Sequence, residues 1–165
     1  MNKGWSLSLD CLEALAQLKS VVEASAKGRG KFVMSTPKPL DAITQLVQAI
    51  NSRDLDAALA LYEQGAVMVA QPGKVVVGTE GLRNALAGFM ALKPTLMMEA
   101  RELIQAGDLA LYCSRWNLRG VSPDGKEVQM KSSSTDVLRR QSDGNWLIAI
   151  DNPWGIEILP YWMVE

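Results

Sequence analysis

The segment from Thr95 to Asn152 restricts the possible folds most. It reads as four strand-like stretches, Thr95–Gln105, Leu109–Val121, Lys126–Gln141 and Trp146–Asn152. Three short connections separate them: Gly107-Asp108, Pro123-Asp124-Gly125 and Ser142-Asp143-Gly144-Asn145. Each connection supplies Gly, Asp or Asn, the residues that accept the positive φ of a hairpin turn. A run of this length with period-two alternation and no helical spacing can only be an antiparallel meander.

Helical spacing precedes it. Leu40, Ile43, Val47 and Ile50 share one face, widened by Ala42, Leu46 and Ala49. Asn51-Ser52-Arg53-Asp54 interrupts that helix, and Asp54 can cap a second one burying Leu55, Ala58, Leu59 and Tyr62, with Gly65 as its stop. Ala66–Ala70 and Val75–Val77 read as short strands around the turn Gln71-Pro72-Gly73-Lys74. Thr79 is expected to cap a third helix with Leu82, Ala85, Leu86, Phe89 and Met90 on its apolar side. Helices followed by a meander predict an α+β domain, with three helices packed on one face of a curved antiparallel sheet.

Residues 7–26 carry leucines and valines three and four apart, an amphipathic helix pattern, ended by Gly28-Arg29-Gly30. The expected organisation is an N-terminal helical arm or extension over 1–33, a proline-containing linker over 34–39, the α+β domain over 40–155 and a tail over 156–165. The 165-residue length suits one core.

Composition removes several chemistries. With no histidine, Ser-His-Asp and Cys-His systems and imidazole metal sites are excluded. Cys11 and Cys113 lack metal-type spacing and read as free thiols. No phosphate-binding glycine loop occurs, so neither cofactor nor metal is expected. A net charge of −1 offers no field for nucleic acid or an anionic membrane. No apolar run approaches the roughly 18 residues of a membrane span. The N-terminal apolar residues are interrupted by Asp10, Glu13 and Gln17, so a cytoplasmic location is expected.

Four local features carry a family resemblance: Asn51-Ser52-Arg53-Asp54, Leu61-Tyr62-Glu63, Gly78-Thr79-Glu80-Gly81, and the run from Trp146 to Gly155. In their order and spacing the chain resembles the SnoaL-like (nuclear transport factor 2-like, ketosteroid isomerase-like) superfamily. The resemblance implies a cystatin-like cone with a pocket between helices and concave sheet, and frequent dimerisation through the sheet. It does not imply one function, since the superfamily hosts isomerases, hydratases, hydrolases, cyclases and assembly domains.

Ketosteroid isomerase-type chemistry needs a carboxylate base just after the first strand and a second carboxyl kept protonated. Those places fall at Ala70 or Gln71 and near Ser133, so steroid isomerisation is rejected. Limonene-epoxide hydrolases have Arg-x-Asp on a long strand and a late Asp; here Arg115-Trp116-Asn117 and Asp151 take the matching places. Asn117 cannot protonate an epoxide, so the resemblance implies a degenerate version of that site. If Arg115, Asn117 and Asp151 all face the cone, Arg115 and Asp151 can pair there. A structural ion pair at the cone mouth is the competing reading.

Gln71 is expected to help hold a ligand, together with Trp154 and either face of Ser132-Ser133-Ser134-Thr135, with Ser133 and Thr135 taken as the ligand-facing pair. The expected function is binding of a small, mostly apolar molecule, with cofactor-free acid–base chemistry of hydrolase, isomerase, cyclase or dehydratase type at Asp151, Arg115 and Asn117. The expected partner is a second copy of the chain. The competing class is a non-catalytic dimerisation or assembly module.

Overall fold

The computed structural model describes residues 35–159. The expected helix at 7–26 and the end of the tail lie outside them. Two helices open the order, α1 (Pro39–Ser52) and α2 (Leu55–Leu59), followed by β1 (Tyr62–Gln71) and β2 (Lys74–Val77). Helix α3 (Gly78–Met90) leads to β3 (Thr95–Ala106), β4 (Leu109–Val121), β5 (Glu127–Arg140) and β6 (Trp146–Asp151). A 3₁₀ turn, Gly155–Ile158, ends the described chain. No helix among the described residues is long and apolar enough to cross a membrane.

The architecture is the predicted α+β cone. Asp54 caps α2, its carboxylate accepting from the Ala57 amide at 2.9 Å. That helix is shorter than its apolar pattern suggests: it stops at Leu59, and Tyr62 opens β1 instead of lying on the helix. Five residues bury too little to hold a helix by themselves, and Tyr62 gains a sheet position and a buried partner instead.

The six strands run in the order β2-β1-β6-β5-β4-β3. The β3–β6 meander is antiparallel throughout, but β1 lies parallel to β6, so the sheet is mixed. Even-numbered residues of β4 and β5 face the helices, with Ala110, Tyr112, Trp116, Leu118 and Leu138 buried. Their partners are Ala42, Ile43, Leu46 and Ile50 of α1 and Leu82, Leu86 and Met90 of α3. The 3.6-residue stripe of each helix thereby covers the period-two face of the sheet.

Three details fix where the helices sit. The Asn51 amide at the end of α1 donates to the Leu96 carbonyl at 3.0 Å and accepts from the Leu96 amide at 2.7 Å, tying α1 to β3. Ahead of α1, buried Thr36 exchanges backbone and hydroxyl hydrogen bonds with Trp146 of β6. In β6 the ladder with β5 slips: Leu138 faces Ile148 while Val137 faces Ile150. Ala149 is therefore a bulge residue. Beyond it, alternation resumes out of step, so Trp146, Ile148 and Asp151 are all buried while Ile150 is exposed.

Candidate active site

The inward face of β4 and β5 is apolar at its ends and polar in the middle. Ser114 of β4 lies opposite Ser134 of β5, their hydroxyls 2.8 Å apart, and Ser134 Oγ donates to Asp136 Oδ2 at 3.0 Å. Ser114 Oγ also lies 3.7 Å from Met98 Sδ, an acceptor, and either hydroxyl can be the donor within the serine pair. The second Asp136 oxygen accepts from the Asn152 amide at 2.9 Å. From β6, the Asp151 carboxyl comes within hydrogen-bonding reach of Asp136. On its other side Asp151 Oδ2 accepts from the Tyr62 hydroxyl at 2.5 Å. One line of groups thus runs Ser114, Ser134, Asp136, Asp151, Tyr62, all of them buried.

Two buried carboxyls in contact cannot both ionise cheaply. Burial, and then the charge of Asp151, hold Asp136 well above the usual carboxylate range, against the pull of Asn152 and Ser134. Burial also raises Asp151, but the hydrogen bonds from Tyr62 and Asp136 draw it back. Both carboxyls are raised, Asp136 the further, so the two titrate as a pair in which Asp136 keeps a proton the more readily. Burial first, then the Asp151 charge, keep the Tyr62 phenol well above its ordinary value, so it stays a donor.

Asp136 and Asp151 form part of the wall of a cleft between sheet and helices, with about 770 Å³ of open space including its mouth. Ile43, Leu46 and Ile50 of α1, Leu86 and Phe89 of α3, and Met68 of β1 give it an apolar roof and side. Tyr112, Trp116, Ser134 and Trp154 complete the sheet side. No Lys or Arg is among the lining residues.

Residues 43–148 match the family model of the SnoaL-like domain. The chain belongs to the SnoaL-like family. Solved structures similar to this SnoaL-like chain carry the same fold. A nuclear transport factor 2-like superfamily protein from Salmonella enterica serovar Typhimurium superposes with a TM-score of 0.64 at 18% identity, over 70% of this chain and 86% of that one. A ketosteroid isomerase-like protein from Erwinia carotovora atroseptica gives 0.61 at 22% identity, over 69% and 90%. The epoxide hydrolase/cyclase-like enzyme SalBIII, described in pyran ring formation in the polyether salinomycin, gives 0.58 at 16% identity, over 70% and 88%. No curated protein matches the chain.

Against this SnoaL-like pocket the sequence-derived site needs correction. Asp151 and Trp154 are in its wall. Arg115 is not: odd-numbered β4 residues face outward, so Arg115 is exposed beside Ala100 and Ser133, on the opposite side of the sheet from Asp151. Asn117 shares that outer face, donating to Glu99 Oε1 at 2.7 Å. The alternation was read correctly for β4; the bulge at Ala149 means that Asp151 does not share its face. The same parity turns Ser133 and Thr135 outward and Ser132 and Ser134 inward. Gln71 is exposed at the end of β1, beyond the irregularity after Val69, and Ala70 lines the pocket in its place.

Asp136 and Tyr62 are the site residues that sequence reading missed. Asp136 had a usable signal, since period-two alternation puts it on one face with Ser132 and Ser134. Tyr62 had none while it was read as a helix residue.

Proposed function

We propose that this SnoaL-like chain is a cofactor-free acid–base catalyst acting on a small, mostly apolar molecule. The observation that carries the reading is the Asp136–Asp151 pair, set in an apolar cleft and braced by Tyr62 and Ser134. Asp151, the charged member, accepts a proton from the substrate, and Asp136 delivers one. Transfer across the hydrogen bond between them restores the starting state. A donor and an acceptor fixed side by side in an apolar cleft suit isomerisation, dehydration or ring closure, where one proton leaves and another arrives.

The fold neighbours named ketosteroid isomerase-like and epoxide hydrolase/cyclase-like support chemistry of this general kind. They do not extend to the particular sites of those enzymes: Ala70 supplies no base, and Arg115 and Asn117 lie outside the cleft.

The test is a turnover screen with β,γ-unsaturated ketones, β-hydroxy ketones and hydroxy-epoxides. Activity on one class is expected, with a bell-shaped pH profile, falling by about two orders of magnitude or more in Asp151→Asn. A hit that survives Asp151→Asn, or no turnover in any class, would sink the proposal.

A second reading, assembly through the sheet, is favoured by one observation on the outer face. Ile104, Leu111, Val137, Ile150, Val67 and Val77 stand in register across all six strands, an unbroken apolar row. Ile104 is 61% and Val77 63% exposed. A second copy is the occupant we propose, because the row can cross its own twin and bury both. This reading is compatible with catalysis, since the row and the cleft lie on opposite faces.

A further inference from the structure

We propose that Tyr112 and Trp154 form a two-donor subsite that selects a neutral ligand bearing a hydrogen-bond acceptor, of the ketone type, within the same cleft. This rests on the cleft being the binding site.

The Trp154 indole N–H is buried with no hydrogen-bond partner among the described residues. The buried Tyr112 hydroxyl makes no well-formed hydrogen bond: burial raises its pKa, and only a loose approach to Ser114 draws it down. Tyr112 itself is only 1% exposed. Buried donors are nearly always paired, so two without a well-formed bond on one cleft wall mark where an acceptor is missing. An indole N–H can only donate, and the missing group must therefore carry a lone pair.

Trp154 is not a loose side chain. Its ring meets Trp116 edge-on, centroids 6.3 Å apart at 72°. Its backbone amide donates to Asn152 Oδ1 at 3.3 Å, and Trp116 Nε1 donates to the adjoining Pro153 carbonyl at 2.9 Å. The donor is held in position before any ligand arrives, which lowers the ordering cost of binding.

Charge narrows the class further. In the proposed function the carboxyl pair carries one negative charge, and no lining Lys or Arg offsets it. A carboxylate ligand would add a second negative charge in a low-dielectric cleft, whereas a neutral carbonyl brings the lone pairs alone. The apolar remainder of the wall takes a hydrocarbon body.

Three probes of matched shape test this: 2-acetonaphthone, 2-isopropylnaphthalene and 2-naphthoate, titrated calorimetrically into the full-length protein. The ketone is expected to bind more tightly than the hydrocarbon, by about fivefold for each hydrogen bond gained, and the naphthoate most weakly. Tyr112→Phe and Trp154→Phe should each reduce the ketone's advantage, read as the ratio of ketone to hydrocarbon affinity in the same protein, and the double variant should bring that ratio to one. Tyr112→Phe loses no more than the loose approach to Ser114, so its Tm should fall little, which separates lost recognition from lost folding. Equal binding of ketone and hydrocarbon, or a preference that survives the double variant, overturns the subsite alone. If no probe binds at all, the cleft reading falls and the subsite with it.

Discussion

At the residue scale, the protonation of Asp136 ties stability to pH. In an unfolded chain this carboxyl would ionise near pH 4. In the folded protein burial and the neighbouring Asp151 raise it well above that. A carboxyl raised in the folded state favours folding at low pH, and that contribution is lost as pH rises towards the folded-state value. Asp136→Asn keeps the shape and a donor towards Asp151 without a titrating group. Urea denaturation from pH 4 to 9 should show the wild-type protein losing stability relative to Asp136→Asn as pH rises, the variant becoming the more stable by about 1–3 kcal/mol at the alkaline end. Parallel pH profiles for the two proteins would mean that Asp136 is not held protonated. Tyr62 does not enter this balance, because its phenol stays neutral across the same range.

At the scale of elements, the helix roof of the cleft is anchored to the sheet at few polar points. Asn51 satisfies both the amide and the carbonyl of Leu96, so Asn51→Ala strands two backbone groups at once. The expected cost is about 1–3 kcal/mol in chemical denaturation, with faster amide exchange at Leu96 as the local sign. Unchanged exchange at Leu96 would show that the tie carries no load. The elements themselves were largely legible in the sequence. Turn residues at Gly107, Gly125 and Gly144, each with positive φ in the structure, marked the hairpins, and the leucine spacing marked α1 and α3. What could not be read was which side of β4 faces the helices, since alternation separates two faces without naming either. Arg115 and Asn117 on the odd face of β4 drew the site to the wrong side, while Tyr112 and Trp116 on the even one line the cleft. Nor could the step at Ala149 be read, because no Gly or Pro announces it. Asp151 was therefore picked out, but beside the wrong companions.

For the whole molecule, the outer apolar row makes a specific statement about assembly. If a second copy covers it, Leu111→Lys together with Val137→Lys should convert a dimer into a monomer in sedimentation or light scattering, with the cleft's probe affinity retained. A wild-type monomer at micromolar concentration would remove the assembly proposal and leave the catalytic one standing. The strands beneath make such independence natural. Along β4 and β5 the chain writes two messages in alternate letters: Tyr112, Ser114, Ser134 and Asp136 belong to one, and Leu111, Val137 and Arg115 to the other. A change in one message leaves the other intact, so a lineage can revise its partners without rewriting its chemistry, or try new substrates without dissolving its quaternary structure. A one-residue slip in either strand is different in kind, because it exchanges the messages and spoils both.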